Sequence, residues 1–223
     1  MELAKLLDVH PGVTAVIGGG GKTTLLRTLG EELAERNRVL LCTTTKIFPF
    51  PGLPCANTRE ELDALRREHR LLCAGTPVSG TGKLTAPSVH MTELVSWFDY
   101  VLVEADGSAQ RPFKAHAAHE PVIPAEANQV IFVVGACGFG RPVEEVVHRP
   151  ELYACLAGVS VEDAVTPETE AAVLRAEGLH HRIYVNQTEA PSDLAAAKAL
   201  AALLDCPVLA GSLHRREYFV CSL

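Results

Sequence analysis

Lys22 and the two threonines behind it follow four consecutive glycines, in the stretch VTAVIGGGGKTT from Val13 to Thr24. Gly18, Gly19, Gly20 and Gly21 carry no side chains, so four successive backbone N–H groups are able to turn inward on a polyphosphate. Lys22 then supplies a point charge for the terminal phosphates, Thr23 offers a hydroxyl to Mg²⁺, and Thr24 continues the same turn. The apolar run before the glycines reads as a strand. The amphipathic run after them reads as a helix, whose positive N-terminal end adds to anion binding. The chemistry expected is the binding of a nucleoside triphosphate, ATP or GTP, with Mg²⁺.

The spacing is G-x-x-G-K-T-T from Gly18, shorter than the usual G-x-x-x-x-G-K-[ST], because Val16 stands five residues before Gly21. This shorter form resembles the loop of Mur-ligase-type enzymes. A dinucleotide loop fits less well: the third glycine of G-x-G-x-x-G would fall on Thr23. The strand Arg38–Cys42 also runs into Thr43, Thr44, Thr45 and Lys46, where that fold needs an acidic residue.

A second apolar strand, YVLVE, ends in Glu104-Ala105-Asp106-Gly107. Two carboxylates at a strand end are costly to bury without a cation, which makes this a Walker B-like element for Mg²⁺. Two alignments stay open. In one, Glu104 to Gly107 takes the D-x-x-G spacing, with the Gly107 amide near the γ-phosphate. In the other, Asp106 faces the metal and Glu104 orients water. Thr45, with its neighbouring threonines, is a candidate γ-phosphate sensor, though strand ends favour threonine in any case. Asn186-Gln187-Thr188-Glu189 stands where related NTPases carry N-K-x-D, so Asn186 and Gln187 are base-side candidates with the base undecided.

Between Asp106 and Pro124 the chain reads DGSAQRPFKAHAAHEPVIP, placing Arg111, Lys114, His116 and His119 together in an otherwise acidic protein. Such a cluster suits transition-state charge or an anionic second ligand, with Arg111 and Lys114 as its leading members. GFGRPVEEVVHRP, from Gly138 to Pro150, adds Arg141, His148 and Arg149, with His148 expected in a helix.

These elements need a scaffold. Strand-like and helix-like segments alternate along the 223 residues, which implies one α/β domain over 1–223: P-loop NTPase-like, with a mainly parallel sheet and helices on both faces. Thr58 with Glu61, and Thr166 before Pro167, are helix starts. Arg70–Ala74 and Lys83–Ala86 are expected to pair as a hairpin. The segment MELAKLLDVHPG is expected to form a short helix ending before Pro11. A net charge of −7 and the lack of a Lys/Arg tract exclude a general nucleic-acid binder. No apolar run approaches the roughly 20 residues of a membrane span. Seven cysteines, scattered without C-x-x-C, suggest a reducing cytoplasm and mostly buried thiols, Cys137 between a strand and a glycine being a candidate exception.

With those segments assembled, the chain resembles the YqeC family of selenium cofactor biosynthesis proteins, accessory to selenium-dependent molybdenum hydroxylases. The blocks that carry the resemblance are VIGGGGKTTLL, LLCTTTKIFP, VLVEADGSAQRPFKAHAAHEPVIP, VVGACGFGRPVEEVVHRPEL, DAVTPE and VNQT, in order from Val16 to Thr188. The resemblance implies a cytoplasmic P-loop protein that matures a selenium-containing molybdenum cofactor. It also implies that this cofactor or its precursor is the anionic second ligand, with a molybdenum hydroxylase as partner. The open alternatives are a nucleotide-gated carrier and a small-molecule kinase or ligase.

Overall fold

The computed structural model describes residues 2–223. Thirteen strands occur among them: β1 Gly12–Gly18, β2 Val39–Thr43, β3 Cys55–Ala56, β4 Leu71–Ala74, β5 Thr76–Val78, β6 Lys83–Thr85, β7 Tyr100–Glu104, β8 Phe113–Lys114, β9 Ala127–Gly135, β10 Val147–His148, β11 Arg182–Asn186, β12 Val208–Ser212 and β13 Glu217–Ser222. The α-helices are α1 Leu3–Leu6, α2 Lys22–Leu33, α3 Arg59–Glu68, α4 Met91–Trp97, α5 Val143–Val146, α6 Pro150–Ala157, α7 Pro167–Glu177 and α8 Pro191–Ala201. The chain forms two compact units, neither continuous in sequence. The first takes residues up to Val16, Thr23–Gly107 and Val122–Gln129; the second takes Ile17–Lys22, Ser108–Pro121 and Val130–Leu223.

In the first unit the strand order is β1-β7-β2-β4-β3, every pairing parallel. Strands buried on both faces are near-continuous apolar runs, which is why VLLCT and VLVE are buried throughout. One side of this sheet packs Leu40, Leu72, Val101 and Val103 against Leu62 of α3 and Leu94 and Phe98 at α4. Register does the positioning: Glu104 lies opposite Val16 on one neighbour and Thr43 on the other, so β7 and β2 end at one level and β1 runs two residues further into the glycines. Helix α3 starts as its sequence dictates, with Thr58 Oγ1 accepting from Glu61 N at 3.2 Å and Glu61 Oε2 accepting from Asn57 N at 2.7 Å.

In the second unit β9, β11 and β12 are parallel and β13 runs antiparallel along β12. Asn186 is opposite Gly135 at the strand ends. Thr166 caps α7 with a reciprocal bond to Thr169, and Pro167 takes the first turn. Strand β1, a glycine loop and helix α2 follow one another directly, and the parallel strands complete an α/β fold with the mainly parallel pairing expected.

Two local expectations are corrected. Leu71–Ala74 does not pair with Lys83–Thr85; it lies between β2 and β3, and the hairpin partner of β6 is β5, Thr76–Val78. An apolar LLCA run buries both faces better inside a parallel sheet than in a two-stranded ribbon. His148 is in β10, paired with Lys114 of β8, because VEEV makes only one helical turn before the chain extends. In the N-terminal segment the described helix is Leu3–Leu6; Met1 lies outside the described residues.

Candidate functional site

Within the second unit the glycine loop is tightly held. Gly19 N donates to Val133 O at 2.8 Å and Gly20 N to Arg111 O at 3.1 Å. A Cβ on Gly19 would stand 2.5 Å from Arg111 O and 2.6 Å from Pro112 O, so only glycine permits this approach. Gly20 adopts φ +74°, and a Cβ there would stand 2.5 Å from the Gly135 Cα. The expectation of four inward-facing amides is therefore revised: the Gly19 and Gly20 N–H groups secure the loop to the protein. Lys22 is 4% exposed and reaches back along its own loop, its Nζ donating to Gly18 O at 2.6 Å and to Ser108 Oγ at 3.2 Å.

Within the first unit Thr23 Oγ1 donates to Glu104 Oε2 at 2.7 Å. Thr43 Oγ1 donates to Glu104 O at 2.8 Å, Thr45 N to Thr43 Oγ1 at 2.9 Å, and Thr44 Oγ1 to Val122 O at 2.6 Å. The three threonines thus shape the strand end around Glu104, and Thr45 reaches it through Thr43. Asp106 is fully buried, Thr23 and Thr24 are exposed, and a Cβ on Gly107 would meet nothing within 4 Å. Of the two carboxylates, Glu104 is the one joined to the Thr23 hydroxyl. Together they present hard oxygen donors of the kind Mg²⁺ takes alongside phosphate and water. Among the described residues no three His, Cys, Asp or Glu side chains converge as a metal site.

The cluster expected to meet an anion has a different arrangement. Lys114 is completely buried, its Nζ 2.9 Å from Glu120 Oε2. Arg149, in left-handed backbone at the start of α6, brings Nη2 to 3.1 Å of the same oxygen. Burial pushes the Glu120 carboxyl up, but Lys114 and Arg149 outweigh it and hold the group below the usual carboxylate range. His116 gives its backbone N–H to Glu177 Oε1 at 2.6 Å and sets Nδ1 2.8 Å from Oε2. Arg111 contributes its carbonyl to the glycine loop, while its guanidinium points to Glu144 O at 3.4 Å. His119 lies 3.5 Å from Arg149 Nη2.

At the end of β11, Asn186 is a brace: Nδ2 donates to Gly20 O at 2.7 Å and Oδ1 accepts from Leu213 N at 3.2 Å. Gln187 has φ +61° and accepts from Cys137 Sγ at 3.1 Å. Burial raises the Cys137 thiol, which disfavours a reactive thiolate. Glu189 accepts from Ser212 Oγ at 3.3 Å, with Arg215 Nη2 3.7 Å away. Gly135, Ser212 and Leu213 were not singled out by the sequence. The residues GS after the strand VLA were the available signal for the last two.

The family model described as YqeC protein matches residues 14–151, more than half of the chain. A curated relative, Uncharacterized protein YqeC of Escherichia coli (strain K12), is 33% identical over 175 residues, covering 74% of this chain and 68% of its own length. The chain belongs to the YqeC family. The YqeC match contains the glycine loop, the Glu104–Gly107 strand end and both blocks that build the Lys114–Glu120–Arg149 trio; Asn186 to Glu189 fall beyond it. Among solved structures, the Signal Recognition Particle 54 kDa protein from Aeropyrum pernix K1, in complex with GDP, aligns over 94% of this YqeC-family chain at 15% identity with a TM-score of 0.44. The chain spans 44% of that protein's length.

Proposed function

We propose that this YqeC-family protein is a Mg²⁺-dependent nucleoside-triphosphate-binding protein that hydrolyses or transfers from its nucleotide. Two consecutive side chains carry the reading: Lys22 lies on the carbonyl of its own glycine loop, and Thr23 is bonded to the strand-end carboxylate Glu104. A lysine so placed needs only to swing from Gly18 O to a phosphate oxygen. Thr23 and Glu104 would hold Mg²⁺, which when bound supplies charge neutralisation for the phosphates. With Gly19 and Gly20 engaged, the amides from Gly21 into the first turn of α2 take the phosphates, aided by the helix N-terminus. Asn186 fixes the loop from the Gly20 side, and Gln187 and Glu189 face the base, ATP or GTP. The seven free thiols suit a reducing cytoplasm, and no helix among the described residues is long and apolar enough to cross a membrane.

We further propose, from the resemblance carried by its sequence blocks, a role in maturing a selenium-containing molybdenum cofactor, with that cofactor or its precursor as anionic second ligand and a molybdenum hydroxylase as partner. The carrier reading, in which hydrolysis gates release, stays as the alternative. Lys114 and Arg149 are both engaged by Glu120, which leaves Arg111 as the cation for the second ligand or for transition-state charge. Lys22→Ala tests the site: turnover of either nucleotide should vanish while the circular dichroism spectrum and unfolding midpoint are kept. Turnover retained in that variant would remove Lys22 from the site.

A further inference from the structure

Cys55 and Cys73 are 18 positions apart in sequence, and the fold sets them side by side. They are register partners in the parallel pair β3–β4, so both side chains leave the same face of the sheet at the same level. The alignment is fixed from both sides, by Cys73 N donating to Pro54 O at 2.8 Å and Gly75 N donating to Ala56 O at 3.1 Å. Neighbouring strands stand about 4.7–4.9 Å apart, inside the roughly 4.4–6.8 Å Cα separation that a disulfide spans. The two thiols are unequal. Cys73 is 1% exposed in the middle of its strand, whereas Cys55 is half-buried on a two-residue strand at the sheet's edge. Proximity acts on the two unequally: the neighbouring Cys73 thiol lowers the Cys55 pKa, while Cys55 and burial raise that of Cys73. The asymmetry suits thiol–disulfide exchange, with Cys55 as the accessible sulfur that attacks and Cys73 as the sheltered one that resolves.

We propose that Cys55 and Cys73 form a redox-active dithiol whose substrate is a small-molecule disulfide. The Cys55 thiolate attacks one sulfur of the reagent RSSR; the reagent's S–S bond breaks, and one RS⁻ leaves and takes up a proton. Cys73 then loses its proton and attacks the Cys55 sulfur of the mixed disulfide, expelling the second RS⁻. The chain is oxidised by two electrons to the Cys55–Cys73 disulfide, and the reagent is reduced to two thiols. The reaction stands apart from the nucleotide site, and no residue assigned to phosphate or Mg²⁺ takes part.

The test treats the reduced, folded chain with 2-hydroxyethyl disulfide, quenches with acid, alkylates the remaining thiols and maps the linkages by mass spectrometry. The expected result is loss of Cys55 and Cys73 together into one internal linkage, while buried Cys42 is alkylated only after unfolding. In Cys73→Ser the mixed disulfide should persist on Cys55. In Cys55→Ser the thiol of Cys73 should stay unmodified until the chain is denatured. Wild-type protein decides the matter even where a variant fails to fold. Cys55 and Cys73 both recovered as thiols, or Cys55 held only as an unresolved mixed disulfide, would overturn the proposal.

Discussion

Glu104 of the first unit and Glu120 of the second are carboxylates held by opposite means. Glu104 accepts a hydroxyl hydrogen bond from Thr23 at the end of an apolar strand. Glu120 is clamped between the fully buried Lys114 and the Arg149 guanidinium. Two cations on one partly buried carboxylate make a firm joint, because loss of the carboxylate takes a counter-charge from both. A hydroxyl beside a carboxylate is exchangeable, and both groups are ready-made ligands for a hard cation. On the proposed reading the difference separates scaffold from working site: the block richest in charge shapes the loop that backs the glycines, while the plainer threonine–glutamate pair is the one proposed to meet metal and phosphate.

Glu120→Ala tests the contrast with the largest effect. It leaves Lys114 buried without its carboxylate, and should lower stability by about 3–5 kcal/mol in urea unfolding. A change within experimental error would mean that the trio is ornamental. A third carboxylate, Glu170 on α7, sharpens the comparison. Burial pushes it up to about 8 from an ordinary 4.5. The folded chain therefore keeps a proton that the unfolded chain releases between those two values. Stability from this group is complete below about pH 4.5 and falls by roughly 1.4 kcal/mol per pH unit up to about 8. Glu170→Gln should flatten that slope in unfolding measured across the range; an unchanged slope would show that Glu170 is ionised in the fold.

Smaller effects follow for the uncharged contacts. Asn186→Ala removes the brace between Gly20 O and Leu213 N, at a cost of about 1–3 kcal/mol. It should also weaken nucleotide binding, since the loop loses a support. Glu104→Gln keeps an acceptor for Thr23 and should change stability by less than about 1.5 kcal/mol. Its effect should appear in metal-dependent binding. A stability loss as large as that of Glu120→Ala would erase the distinction between the two carboxylates.

The contrast also explains how much the sequence disclosed. Strand β1, the glycines and α2 were legible because an apolar run, a side-chain-free turn and an amphipathic helix are each local. The cap of α3 by Thr58 and the start of α7 at Thr166-Pro167 were legible for the same reason. Pairing was not. Leu71–Ala74 reads equally well as one arm of a hairpin or as a central parallel strand, and only burial between β2 and β3 decides it. The two-residue strands β8 and β10 carry no periodicity, so Lys114 read as a free cation of a basic loop. Its partner Glu120 was present in the same block, but charge counting cannot tell a solvated lysine from one buried against a carboxylate. Asn186 was read as a base contact, whereas its amide spans two backbone groups that are 27 residues or more from it in sequence. The Cys55–Cys73 pairing depends on register alone and left no trace in spacing.

The central claim is that Lys22, Thr23 and Glu104 together hold a Mg²⁺–nucleoside triphosphate. Isothermal titration of ATP and GTP, with Mg²⁺ and with chelator, into wild type, Lys22→Ala and Glu104→Gln tests it most directly. Binding of at least one nucleotide to wild type should be strengthened by Mg²⁺, vanish in Lys22→Ala, and persist in Glu104→Gln without the Mg²⁺ enhancement. Affinity that is the same in all three proteins, or absent from wild type under both conditions, would contradict it.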